Sequence, residues 1–145
     1  MTKEDRKENL AYLSKAYPER YKEYKKQLDS ADDDIFSIKN IAIFSQRLRE
    51  ERLDQGLTYT DLAAIFNTSR NAIYYFEIRR KTLEHIDKKR NVDTDRATCI
   101  NGKERYVKVS CYRFWVLALS IILDISPLYM LGYTNDRSFR GVYRI

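Results

Sequence analysis

The stretch from Gly56 to Lys81, GLTYTDLAAIFNTSRNAIYYFEIRRK, constrains the fold more than any other part of the chain. Thr58 is followed three residues later by Asp61, and this spacing predicts a capping box at the start of a helix. Asn67 tolerates the left-handed backbone that ends a helix, and Ser69 can accept the amide hydrogen bonds that open another. The stretch therefore predicts two short helices joined by a tight turn.

The second of these helices has two different faces. Ile73 and Phe76 fall three residues apart and share a face that we expect to be buried. The side chains that point elsewhere are Arg70, Asn71, Tyr74 and Tyr75. They suit base edges and phosphates, but the same pattern also occurs in helical domains that never contact nucleic acid.

These residues resemble the helix-turn-helix of the Cro and lambdoid-repressor family, also known as Xre-type regulators. The resemblance is carried by Gly56-Leu57-Thr58, Leu62-Ala63, Ser69-Arg70, Ile73 and Glu77, by the upstream helix from Phe44 to Gln55, and downstream by Leu117 to Leu119 and Leu123 to Ser126. It covers about half of the chain. The sequence departs from the family at Tyr59, where glutamine is common, at Asn67, where glycine is usual, and at Ile78-Arg79.

The resemblance implies roles for individual residues. It implies base contacts by Arg70, Asn71 and Tyr75, and backbone contacts by Thr58, Tyr59, Ser69, Tyr74, Arg79, Arg80 and Lys81. It also implies an ion pair between Arg52 and Glu77 that orients the recognition helix more than it stabilises the fold. The residues by themselves leave one alternative open, because three consecutive basic residues at 79–81 can also form a solvated loop.

The charge of the chain favours an anionic partner. The 145 residues carry a formal net charge of +6, with 27 basic and 21 acidic side chains, so the chain is not a basic tail. The N-terminus lacks the apolar segment of a signal peptide, and the apolar run from Phe114 to Leu123 is too short to cross a membrane. We therefore expect a cytoplasmic protein with no membrane partner.

Enzymatic chemistry has little support in the sequence. His85 is the single histidine, and Cys99 and Cys111 have neither disulfide-scaffold nor zinc-ligand spacing. The chain has four glycines and no phosphate-binding glycine loop, and no nucleophile has a plausible histidine or paired carboxylate. We expect no catalytic residue, no metal and no cofactor.

Three segments lie outside the predicted motif. Residues 1–34 predict a helical extension whose apolar stripe, from Leu10 to Leu28, could pack on its own domain, dimerise or bind a protein partner. Residues 82–113 predict an insertion, in which Asn101-Gly102 favours a β-hairpin turn. The tail, 133–145, could form an edge strand or stay mobile.

The sequence as a whole predicts a mainly α fold. We expect a lambda-repressor-like helical DNA-binding domain at 35–132, with the helical N-terminal extension and the small inserted hairpin. The predicted function is sequence-specific DNA binding in transcription control, as a repressor of prophage or mobile-element type. The alternative is an antitoxin-type or accessory protein that regulates its own operon and binds a protein partner through its N-terminal helices. The expected partner is double-stranded DNA with an inverted-repeat operator, bound by a homodimer formed through the N-terminal stripe or through Tyr129 and Met130.

Overall fold

The computed structural model describes residues 3–71, 73–74, 97–100, 103–106 and 109–144. The prediction of a mainly helical chain is confirmed. In chain order the elements are α1 (Lys3–Ala16), α2 (Pro18–Asp29), a short 3₁₀ helix (Asp33–Phe36), α3 (Ile38–Asp54), α4 (Tyr59–Ile65), α5, which is described at residues 70, 71, 73 and 74, β1 (Ala97–Ile100), β2 (Lys103–Tyr106), α6 (Val109–Leu123) and α7 (Pro127–Met130).

Left-handed residues end four of the helices. They are Gly56 after α3, Asn67 after α4, Asp124 after α6 and Gly132 after α7, with φ values of 70°, 50°, 57° and 84°. In each case the amide of the following residue donates to a carbonyl one turn back, as in the Schellman motif; Thr68 donates to the Ala63 carbonyl at 3.0 Å. The helix end predicted at Asn67 is confirmed, and glycine, which adopts positive φ without a steric penalty, ends α3 at Gly56 and α7 at Gly132. The helix end at Asp124 is stabilised by a tertiary contact, because the Asp124 carboxylate accepts a hydrogen bond from the Tyr24 hydroxyl at 2.8 Å.

The spacing of Ile38, Ile41, Phe44 and Leu48 predicts one helix from Ile35 to Gln55, and this prediction is wrong at its start. Ser37 has an extended backbone, with φ −64° and ψ 161°, and its hydroxyl accepts a hydrogen bond from the Asn40 amide. A residue in this N-cap conformation cannot lie inside a helix, so a 3₁₀ turn precedes α3.

Helix α6 lies at the centre of the molecule and contacts α1, α2, α3 and α7. Its residues Tyr112, Val116, Leu119 and Ile121 are each at most 1% exposed. Trp115 meets Phe66, at the end of α4, with ring centroids 5.1 Å apart. The nearly uninterrupted apolar sequence from Phe114 to Leu123 is explained by the burial of most of its side chains.

The N-terminal helices pack on their own domain, which is one of the alternatives that the sequence left open. Leu13, Tyr24 and Leu28 are buried in the same core as α6. The N-terminal stripe, which is one of the two predicted dimer surfaces, is therefore largely occupied within the chain. The alternative surface is also covered, because Met130 is 0% exposed and the Arg47 guanidinium lies over the Tyr129 ring.

The tail is an irregular segment held by hydrogen bonds; residues 133–144 contain no strand. Gln27, which is fully buried, donates to the Phe139 carbonyl at 2.7 Å and accepts from the Ser126 hydroxyl at 2.6 Å. Arg47 donates to the carbonyls of Tyr129 and Thr134. The position of Arg47 on the helix predicts a solvated side chain, and this prediction is wrong, because sequence spacing does not reveal acceptors more than 80 residues away.

Most of the predicted insertion at 82–113, including His85, lies outside the described residues. Within it, β1 and β2 pair in antiparallel register, with Ala97 opposite Tyr106 and Ile100 opposite Lys103. The connecting residues 101 and 102 also lie outside the described part. No helix among the described residues is long and apolar enough to cross a membrane.

Candidate nucleic-acid interface

The predicted capping box at the start of α4 is confirmed. The Thr58 hydroxyl accepts a hydrogen bond from the Asp61 amide at 3.0 Å, and the Asp61 carboxylate accepts one from the Thr58 amide at 2.9 Å. Both donors would otherwise lack a partner at the helix terminus. The box fixes the point at which the chain turns from α3 into α4.

We expect Thr58→Ala to lower the free energy of unfolding by about 1 kcal/mol, the usual cost of losing a threonine cap. Urea denaturation of the two proteins measures the difference. Thr60→Ala is the matched control, because Thr60 is an exposed residue of the same helical turn and lies outside the capping box. An equal loss in both variants would contradict a specific capping role.

The same capping box alters the electrostatics of this helix end. Hydrogen bonds from the Thr58 backbone amide and from its side chain hold the pKa of Asp61 below its ordinary value of 3.8. A carboxylate therefore stands where the resemblance implies a DNA phosphate, and α4 is only seven residues long. The Thr58 hydroxyl and backbone amide both bond to Asp61, so any phosphate contact of Thr58 competes with the capping box.

The lowered pKa of Asp61 predicts a pH-dependent contribution to stability. A depressed folded-state pKa means that the stabilisation is present above the unfolded value and is lost as the pH falls through the folded value. We expect Asp61→Asn to melt at a lower temperature than the parent protein near neutral pH. The difference should shrink below pH 3.8, the ordinary aspartate value. A difference in melting temperature that is constant with pH would contradict this assignment.

The turn between α4 and α5 places two of the predicted base-contacting residues in solvent. Phe66, at the end of α4, is 1% exposed, and Ile73, in α5, is 0% exposed. These two side chains attach both sides of the turn to the core. Arg70 and Asn71, at the start of α5, are exposed. The expected division of α5 into a buried and a polar face is observed at the described positions.

A stack of three side chains fixes α5 against α3 and α4. The Arg52 guanidinium carbon lies 4.1 Å from the centre of the Tyr59 ring, and the Tyr74 ring meets Tyr59 edge-on at 5.5 Å. Arg52 also donates to the Leu57 carbonyl at 2.7 Å and is 7% exposed. Tyr59 is half-buried and Tyr74 is 42% exposed. Both rings therefore pack within the protein, whereas the resemblance implied only contacts with the DNA backbone.

Several predicted site residues fall beyond the described part of the chain. They are Tyr75, Glu77, Arg79, Arg80 and Lys81. The Arg52–Glu77 ion pair and the basic strip at 79–81 therefore stay predictions. Ser69 is described, and it lies exposed in the turn immediately before α5.

Helix α1 lies beside the turn between α4 and α5. The sequence did not indicate this contact. The Asn9 side-chain amide donates to the Phe66 carbonyl at 3.5 Å. Asp5, Glu8 and Asn67 line a small cavity beside it. Acidic side chains therefore lie near the turn, and no local sequence pattern could reveal a contact between residues 57 positions apart.

No family model matches the chain, and no curated protein or solved structure is significantly similar to it. The described residues contain no group of three or more histidine, cysteine, aspartate or glutamate side chains placed to hold a metal ion. The candidate interface is therefore defined by its own geometry and by the sequence resemblance.

Proposed function

We propose that the chain binds double-stranded DNA in a sequence-specific manner through residues 58–81 and controls transcription as a repressor of prophage or mobile-element type. In this proposal α5 enters the major groove and the end of α4 borders the sugar-phosphate backbone. Arg70 and Asn71 read guanine and adenine respectively, since their side chains can form paired hydrogen bonds with those bases. Tyr75 adds a further base contact.

One observation carries this proposal. Two helices meet at a turn made by Asn67, and the second begins with exposed Arg70 and Asn71 while Ile73 is completely buried. A helix that is anchored on one face and polar on the other can present side chains to base edges in a fixed orientation. The net charge of +6 is favourable for approach to a polyanion.

Backbone contacts complete the proposed interface. We assign them to Thr58, Tyr59, Ser69, Tyr74 and the basic strip Arg79, Arg80 and Lys81. Fluorescence anisotropy with a labelled random duplex tests this part of the proposal. Each phosphate contact should contribute about −0.9 to the slope of log affinity against log salt. Binding without salt dependence, or no binding at low salt, would contradict the proposal.

Arg70→Ala should weaken binding to the preferred duplex by about 1–3 kcal/mol, because a base contact made by paired hydrogen bonds is lost. Binding to random duplexes should change much less, and selectivity at one base pair should relax. Arg140→Ala is the matched control, since Arg140 is an exposed arginine of the C-terminal tail. An equal loss on preferred and random DNA would reassign Arg70 to a phosphate contact.

We further propose that the DNA-bound form is a homodimer on an inverted repeat, since one recognition helix spans only a few base pairs. The two surfaces predicted for this dimer are mostly buried within the chain. A dimer would therefore use residues other than the Leu10 to Leu28 stripe or Met130. Light scattering in the presence and absence of the selected duplex measures the stoichiometry.

A further inference from the structure

One face of α1 changes character along its length. Lys3, Arg6, Lys7 and Leu10 follow the spacing that aligns residues on a single helix face, and the next member of that stripe, Leu13, is 1% exposed. A helix face that packs on a core ordinarily continues with apolar residues. Here cations occupy its first two turns. This arrangement calls for a physical explanation other than core packing.

These cations border a cavity of about 470 Å³ between α1, α2 and α6. Its apolar lining comes from Leu10, Leu28, Phe114 and Leu117. The last three are each at most 7% exposed, whereas Lys3 and Lys7 are exposed. The cavity therefore has an apolar floor and a basic rim.

The positive charges of the rim outnumber its negative charges. Its cations are Lys3, Arg6, Lys7, Lys25 and Arg113, and its one carboxylate among the described lining residues is Asp29. Asp29 already pairs with Lys25 at 2.6 Å. Arg113 is held by Asp33 at 3.1 Å and by the Leu28 and Ala31 carbonyls. The excess positive charge is thus concentrated on the α1 side of the cavity.

We propose that this cavity binds a small amphipathic anion, namely an aliphatic carboxylate. The hydrocarbon chain lies on Leu10, Phe114 and Leu117, and the carboxylate accepts hydrogen bonds from the cations of α1. The cavity volume falls within the range of about 300–1,000 Å³ that is usual for small-molecule sites. Cationic donors form their strongest hydrogen bonds with carboxylates or phosphates, and the apolar floor favours a ligand with a hydrocarbon body.

This site lies close to the proposed DNA-binding motif. Phe114 lines the cavity, and the centroids of the Phe114 and Trp115 rings are 5.1 Å apart. Trp115 in turn contacts Phe66 at the end of α4. A bound ligand would therefore lie beside the aromatic contact that joins α6 to α4. The ligand proposal itself does not depend on DNA binding, and its test uses no DNA.

The direct test titrates the full-length chain with decanoate while the fluorescence of Trp115, the single tryptophan, is followed. Calorimetry provides the stoichiometry. Decanol and decyltrimethylammonium have the same hydrocarbon chain with a neutral or a cationic head. We expect saturable one-site binding of decanoate that is about tenfold or more tighter than that of either comparison compound, because only the carboxylate complements the rim. No saturable binding, or equal affinity for all three, would overturn the proposal.

A charge-reversal variant tests the rim. Arg6→Glu combined with Lys7→Glu should weaken decanoate binding at least about tenfold, since two attractive charges become repulsive. Lys15→Glu combined with Lys22→Glu is the matched control, because it changes the net charge by the same amount at two exposed cations outside the cavity lining. Equal losses in the two variants would overturn the assignment. Circular dichroism verifies folding, and if the double variant does not fold, the head-group comparison on the parent protein decides the question.

Discussion

Phe66→Ala is expected to lower the free energy of unfolding by about 3–5 kcal/mol, the range for removing a buried aromatic side chain. Phe66 is 1% exposed and its ring meets Trp115 edge-on. Alanine would leave a cavity at the point where α4, α6 and the turn of the motif come together. Because Phe66 immediately precedes Asn67, the loss should also loosen the connection to α5.

Ile65→Ala is the matched control for this experiment. Ile65 is the neighbouring residue in the sequence but is 42% exposed, so its truncation should have a much smaller effect. Chemical denaturation of both variants measures the difference. A loss below about 1 kcal/mol for Phe66→Ala would contradict the packing of this ring against Trp115.

Arg52→Ala is expected to be the second strongly destabilising change. The guanidinium is 7% exposed, donates to the Leu57 carbonyl and stacks on Tyr59, so the substitution removes several interactions at once. If Arg52 also pairs with Glu77, the loss should reach about 3–5 kcal/mol, since Glu77 would be left as an unpaired charge. Arg49→Ala, at an exposed position of the same helix, should be nearly neutral.

A double-mutant cycle separates the described contacts of Arg52 from the predicted pair. If the pair exists, Glu77→Ala alone destabilises the protein, and the double variant loses less than the two single losses combined. An unchanged melting temperature for Glu77→Ala would reject the ion pair. The hydrogen bond to Leu57 and the stack on Tyr59 would then account for the burial of Arg52.

The helix boundaries could be predicted where short-range chemistry determines them. Thr58 and Asp61 lie within one helical turn, and the left-handed tolerance of Asn67 belongs to the residue itself, so the capping box and the turn follow from the sequence. The interruption at Ser37 was missed, although serine is a strong N-cap. The apolar periodicity from Ile35 onward continues across it and conceals the break.

Tertiary partners could not be predicted in the same way. Arg47 reaches carbonyls near the C-terminus, Gln27 joins α2 to the tail, and Asp5 and Glu8 of α1 lie beside the turn at Asn67. Each of these contacts joins residues far apart in the sequence, whereas caps and helix periodicity report only on near neighbours. The packing of Tyr59 against Arg52 and Tyr74 was missed because the three residues lie on three different helices.

Selection from a pool of random duplexes, followed by sequencing of the bound fraction, tests sequence-specific DNA binding most directly. We predict enrichment of an inverted repeat whose half-sites are about 34–36 Å apart, or a multiple of that distance, so that two copies of α5 lie on one face of the DNA. Arg70→Ala should relax the preference at one position in each half-site. A bound pool that stays random after repeated rounds, or a full-length protein that retains no duplex even at low salt, would contradict sequence-specific DNA binding.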